Sequence, residues 1–363
     1  MRSPEGPGGA PKRGAAPRPG RRTLGDTGLE VPPVIFGTSF LGNLYEAHPH
    51  ERKLAVVRNI VSESGLPAAF DSAGKYGAGL ALESLARCLR ELGLGADDVV
   101  LSNKLGWYRV PLRGAEPTFE PGVWIGVGHD AEQRISEEGI VECWEQGNEL
   151  LAGYRADLVS VHDPDEYLAA AAGPADRARR LEDVVGAYRS LAALKREGKA
   201  RAVGIGAKDW RVIRELSDRV ELDWVMLACS FTVLSHPREL MDFIESLARR
   251  GVGIVNSALF HGGFLTGGDF FDYRRVDPAE AEGARLLAWR AKFSELCELF
   301  GITPFAAAVR FGLSAPGIVA IALNTGKPER VAENARSPAV EIPPAFWDAM
   351  RDAALLEREY PWV

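Results

Sequence analysis

The sequence predicts an α/β protein folded as a closed (β/α)8 barrel of the TIM type. Three observations point there. Eight short apolar runs are spaced along the chain, amphipathic stretches separate them, and no linker interrupts the alternation. Strands separated by single helices build a parallel sheet from right-handed βαβ units. Eight such units in about 300 residues suit a sheet that closes on itself better than an open doubly wound one.

In chain order, strands are expected over 33–37 (PVIFG), 68–71, 99–103, 157–162, 201–206, 224–228, 251–257 and 317–323. A helix over 51–64 places Leu54, Val57 and Val61 on one face, and another over 80–93 aligns Leu82, Leu85, Leu89 and Leu92. Further helices are expected over 136–154, 181–198, 209–219, 237–251 and 328–337. Residues 104–135 and 260–278 read as long loops, and loops of that length in a compact domain usually carry function. Residues 1–21 are rich in Pro, Gly and Arg and lack the apolar centre of a secretory signal. A disordered leader ahead of one domain over 22–363 is the expectation.

Composition narrows the partners. A net charge of −7 argues against nucleic acid. No run approaches the ~18 apolar residues that cross a bilayer. Cys88, Cys143, Cys229 and Cys297 form no C-x-x-C pair, and their spacing suits neither a zinc site nor a disulfide framework. Reduced thiols in a cytoplasmic protein are expected, as a monomer or small homo-oligomer. His48 and His50 sit two apart with no third ligand nearby in sequence, so no metal site is expected.

In a barrel of this kind chemistry sits at the C-terminal ends of the strands. The stretch FDSAGKYGAG (70–79) places Asp71 at the end of the second strand and Tyr76 on the turn after it. Lys104 closes the third strand and His162 the fourth. A phenol has a reference pKa of ~10, and a neighbouring ammonium favours its ionised form. Lys104 is expected to lower the Tyr76 pKa, Asp71 to hold Lys104, and His162 to orient a substrate oxygen. Tyr76 would then donate a proton to a carbonyl or take one from a hydroxyl. The partner step needs a cofactor, and a nicotinamide hydride fits best. After the eighth strand, NTGKPERVAEN (324–334) begins a helix at Pro328, where Lys327 and Arg330 favour a phosphate. There is no G-x-G-x-x-G with a following acid, so a Rossmann site is excluded.

Taken together, these segments resemble the aldo-keto reductase superfamily over residues 22–350. RTLGDTGLEVPPVIFGT (22–38) resembles its opening β-hairpin and first strand, and SNKLG, VSVHDPDEY and NTGKPERVAEN resemble three further segments. The resemblance implies a catalytic tetrad of Asp71, Tyr76, Lys104 and His162, and NADP or NAD as cofactor. It implies that Arg330, Glu333 and Asn334 surround the adenine and its ribose. Asn256, with Ser257, stands where most members place an aromatic that stacks on the nicotinamide. Ala207 and Lys208 replace the usual Ser-Asn pair, and Asn324 or Thr325 replaces the basic residue that many members use for the 2′-phosphate. Such departures resemble the branch acting on L-fucose and D-threo-aldoses. Trp107, Tyr108 and Trp124 would offer aromatic faces to a sugar ring. The resemblance implies an oxidoreductase that oxidises an aldose at C1 to a lactone. A reductase of aldehydes or ketones and a cofactor-binding regulatory protein are the alternatives.

Overall fold

The computed structural model describes residues 20–272 and 274–363. Of the leader expected over 1–21, only Gly20 and Arg21 fall within them. The Arg21 guanidinium already joins the fold, donating to Pro67 O at 2.5 Å.

A two-stranded hairpin opens the chain: β1 (Arg22–Thr23) pairs with β2 (Glu30–Val31). The expected alternation follows: β3 (Val34–Gly37), α1 (His50–Ser64), β4 (Ala68–Ala73), α2 (Leu80–Glu91) and β5 (Val99–Leu105). Then comes a departure. The stretch 104–135, read as a loop, contains an antiparallel hairpin of β6 (Trp107–Pro111) and β7 (His129–Gln133). Its second strand, HDAEQ, is short of the β-branched and aromatic residues that mark strands. Pairing with β6, not local preference, holds it.

The chain continues through α3 (Gly139–Leu150), β8 (Leu158–His162), α4 (Pro164–Ala169), α5 (Pro174–Arg196), β9 (Ala202–Ala207), α6 (Trp210–Ser217), β10 (Trp224–Ala228), α7 (Arg238–Arg249) and β11 (Gly253–Ser257). The second long loop carries the small hairpin β12 (Phe270–Phe271) and β13 (Arg274–Arg275). Two helices absent from the sequence reading follow, α8 (Ala281–Leu299) and α9 (Pro304–Gly312), before β14 (Ile318–Leu323). Thr303 caps α9 by accepting from Ala306 N, with Pro304 in its first turn. A single turn over Pro328–Arg330, α10 (Val331–Arg336) and α11 (Pro344–Asp352) close the chain.

The strands β3, β4, β5, β8, β9, β10, β11 and β14 close a barrel of parallel neighbours in that order. Alternate residues point inward. Ile35, Ala69, Val100, Leu158, Trp224 and Val255 fill the interior, and Leu24, Leu29 and Val31 of the opening hairpin pack beneath them. Asp26 N donates to Gly251 O, tying the hairpin to the base of β11. Trp224 fits because β9 offers no side chain opposite it. A Cβ at Gly204 would lie 2.2 Å from the indole.

The outer core lies between strands and helices. The buried side of α1 is Val56, Val57 and Ile60, one step round from the expected Leu54–Val61 stripe. Lys53 shares it because its ammonium donates to Leu41 O at 2.7 Å. Among the described residues no helix is long and apolar enough to cross a membrane.

Candidate active site

Strand alternation carries the chemistry to the mouth. Ala69 and Val100 face the barrel interior, so Asp71, Ser102 and Lys104 follow them on the same side. Leu158 faces inward too, which brings Ser160 and His162 into line on β8. Asp71, Lys104 and His162 are all buried. Lys104 Nζ donates to Asp71 Oδ2 and to Tyr76 Oη, the latter at 3.0 Å. Ser102 Oγ donates to Asp71 Oδ1 at 3.0 Å, so both carboxylate oxygens are engaged.

Tyr76 reaches this group from the turn between β4 and α2. The next residue, Gly77, has φ +62°, and a Cβ there would sit 2.4 Å from Gly42 O. Only glycine lets the turn close this tightly. The Tyr76 ring stands edge-on to His162, with centroids 5.6 Å apart, and lies 5.7 Å from Trp124. The four expected residues therefore meet at one point.

The electrostatics correct one expectation. Burial pushes the Tyr76 phenol up, and Lys104, acting against it, does not bring it below its ordinary value. Lys104 itself is desolvated, yet Asp71 and Tyr76 together hold its ammonium above the ordinary lysine value. His162 is driven well down by burial and by the cations Lys104, Lys75 and Lys208, so it stands as a neutral imidazole. Its Nδ1 and Ser160 Oγ are buried without a hydrogen-bond partner among the described residues. Buried polar atoms of this kind normally have partners.

Two of the expected contacts, those of Asn256 and Tyr108, are corrected. Asn256 points out of the barrel, where its Nδ2 donates to Phe231 O and Gly312 O. It braces β11 against α9 and offers nothing to a nicotinamide. Ser257 lies on the inward side with its Oγ donating to Leu227 O. Tyr108 alternates away from the mouth, packs on the outer core and carries the Arg134 guanidinium 3.9 Å above its ring. Trp107 and Trp124 do roof the site, with Phe119 between them. The Trp124 indole donates to Glu120 at 2.7 Å.

Asn324, Thr325, Lys327 and Arg330 lie along the rim beyond β14. Asn324 Nδ2 donates to Ser39 Oγ, and Thr325 Oγ1 accepts from Lys327 N. Lys327, Arg330 and Glu333 are exposed, whereas Asn334 is buried on α10. His48 and His50 do not converge: His50 pairs with Glu91 at 2.9 Å, and His48 faces Glu46 at 3.7 Å.

A second charged group went unread in the sequence. Lys75 is buried, with Glu120 at 2.7 Å, Glu166 at 3.6 Å and Asp163 at 3.8 Å from its ammonium. Its ring of partners ties the 104–135 segment to the end of β8. Asp163 has φ +46° and follows His162 directly. Burial, then the neighbouring Glu166, pushes its carboxyl up to about 6. The acid-rich HDPDEY run was its only signal in the sequence.

Comparison with known proteins agrees with this geometry. Pyridoxal 4-dehydrogenase of Microbacterium luteolum is 26% identical over 353 residues, covering 93% of this chain and 98% of that protein. D-threo-aldose 1-dehydrogenase of a Pseudomonas species is 24% identical over 332 residues, covering 91% and 96%. A solved glycerol dehydrogenase from Gluconobacter oxydans superposes with a TM-score of 0.66 over 92% of this chain and 94% of its own. At 18% identity that is a likeness of fold. The family model for aldo/keto reductases matches residues 33–354, which take in all eight barrel strands and every residue of the Tyr76 constellation. The chain is a member of the aldo/keto reductase family, an oxidoreductase acting on CH–OH groups with a nicotinamide cofactor.

Proposed function

We propose that this chain oxidises the cyclic form of an aldose at C1 to a lactone, using NAD or NADP. The observation that carries the reading is the 3.0 Å contact between Lys104 Nζ and Tyr76 Oη, beside neutral His162 at the barrel mouth. When bound, the nicotinamide would accept a hydride from C1. Everything else falls to the protein. The anomeric hydroxyl gives its proton to Tyr76 Oη, ionised beforehand. Lys104 stabilises that phenolate, and Asp71 keeps Lys104 in place. His162 enters uncharged, so it positions the substrate oxygen by hydrogen bonding without adding a second cation. Trp107, Phe119 and Trp124 offer apolar faces above the site and exclude water from it.

The residues present suit such a cofactor in two places. His162 Nδ1 and Ser160 Oγ, on the inward side of β8, are buried without partners among the described residues, and a polar ring substituent would suit them. Lys327 and Arg330, exposed beyond β14, would hold phosphate, with Asn324 and Thr325 nearby. We assign Glu333 and Asn334 to the adenosine end on the family resemblance.

Two relatives support the substrate class. One is named for a D-threo-aldose and the other for pyridoxal. Both compounds close to cyclic hemiacetals, and oxidation of a cyclic hemiacetal gives a lactone.

A second reading has its own observation. Burial raises the Tyr76 pKa and keeps the phenol protonated at neutral pH. That is the form needed to protonate a carbonyl oxygen, which favours reduction of an aldehyde or ketone. An absorbance assay at the reduced-nicotinamide band separates the two. NAD and NADP are crossed with L-fucose, D-arabinose, L-galactose and pyridoxal, and the reverse direction is run with simple aldehydes. Reduction of cofactor by an aldose supports the proposal. Turnover with aldehydes alone, or with pyridoxal alone, replaces it.

A further inference from the structure

We infer that Cys229, His261 and Asp272 form a binding site for a divalent transition-metal ion of the zinc class, on the rim of the barrel mouth. The three residues come from separate segments. Cys229 follows β10, His261 lies in the turn after β11, and Asp272 sits between β12 and β13. Their ligand atoms all lie within 4.8 Å of one another. Among the described residues this is the one group of three such side chains that meets that condition.

The ligand types are selective. A thiolate, an imidazole and a carboxylate are the donors zinc takes, and three protein ligands leave a fourth position open. Magnesium and calcium prefer oxygen alone, so sulfur and nitrogen exclude them. The surroundings also fit. His261 is buried, and its Nε2 lies 2.8 Å from Thr232 Oγ1, which leaves Nδ1 facing Asp272 at 3.0 Å. A ring fixed through its far nitrogen is the usual outer support of a metal-bound histidine. Phe271 stacks on the same ring at 4.5 Å and covers it. Cys229 and Asp272 are partly exposed, which gives an ion a way in.

Without an ion, protons occupy the same place. The Cys229 thiol and the His261 Nδ1–H both point at Asp272. Metal binding would release the thiol proton and move the imidazole proton to Nε2, where Thr232 Oγ1 accepts it. None of the three residues belongs to the Tyr76 group. The ion would fasten the segment between β11 and α8 to the end of β10, beside the active site.

The test uses the full chain, expressed without a polyhistidine tag and stripped with a chelator. Cobalt is titrated first and zinc is used to displace it. The expected result is one cobalt per chain, with a thiolate-to-cobalt charge-transfer band and the strong visible bands of four-coordinate cobalt, both removed by zinc. The charge-transfer band should vanish in Cys229→Ser, and His261→Ala should bind at least about tenfold more weakly. Circular dichroism checks that both variants are folded. Absence of the charge-transfer band in the unaltered chain at saturating cobalt would overturn the inference, whatever the variants do. So would its survival in Cys229→Ser, which would place the thiolate at another cysteine.

Discussion

Lys104 Nζ lies 3.0 Å from Tyr76 Oη, and the same ammonium donates to Asp71. One ammonium is thus shared between the Asp71 carboxylate and the phenol that exchanges the proton. Its effect on Tyr76 opposes burial without overcoming it. The phenol stays protonated at neutral pH in the free protein, so oxidation, which needs the phenolate, should accelerate as pH rises. Reduction, which needs the phenol, should show the opposite slope. Rate–pH profiles in both directions check this, and an oxidation rate that falls from pH 7 to pH 10 would contradict it.

Lys104→Met removes the one interaction that favours phenolate. The oxidation profile should move to higher pH, and the rate at pH 7 should fall by about 10²-fold or more. An unshifted profile would show that Lys104 does not tune Tyr76.

Asp71→Asn leaves the Lys104 ammonium buried without its counter-charge. Breaking a buried pair in this way costs about 3–5 kcal/mol. A denaturant midpoint within error of the parent would show that the pair is not buried in solution as it is here.

Asp163 offers a test with a pH sign. Its carboxyl titrates near 6 in the folded chain, above its ordinary value of 3.8. Folding therefore takes up a proton between those values, and the contribution of Asp163 to stability falls as pH rises from about 4 to 6. Above that range the buried charge costs on the order of 3 kcal/mol. Asn tolerates the left-handed backbone at this position. Asp163→Asn should raise the melting temperature relative to the parent more at pH 8 than at pH 4.5. An equal shift at both values would refute the assignment.

Gly204→Ala tests the barrel interior apart from the chemistry. The new methyl meets the Trp224 indole, and overpacking of this kind costs about 1–3 kcal/mol. Thermal unfolding measures it, and a neutral substitution would mean the indole has room to move.

How far the sequence reached follows from what each residue depends on. All eight strands were legible because apolar runs broken by turns are local signals. Asp71, Lys104 and His162 were legible because strand ends define the mouth. The β6–β7 hairpin was not, since HDAEQ becomes a strand only through its partner. Asn256 was misread because one step along a strand reverses a side chain, and the register that sends it outward is set by the whole barrel. Lys75 and Asp163 were missed for a related reason: Glu120, which pairs with Lys75, lies 45 residues from it on a segment whose path no periodicity announces, and Asp163 meets the same ammonium from the end of β8. The Cys229 group lay further out of reach, since spacing rules for metal sites assume ligands close together in sequence.

The proposed chemistry turns on the Tyr76 proton. The measurement that tests it most directly is turnover of Tyr76→Phe beside its affinity for reduced nicotinamide followed by fluorescence. The substitution removes one oxygen from a ring that is otherwise held in place. Turnover should fall by about 10²–10⁴-fold while cofactor affinity stays within about threefold of the parent. Turnover within a few-fold of the parent, with the cofactor still bound, would contradict the assignment of Tyr76 and with it the mechanism.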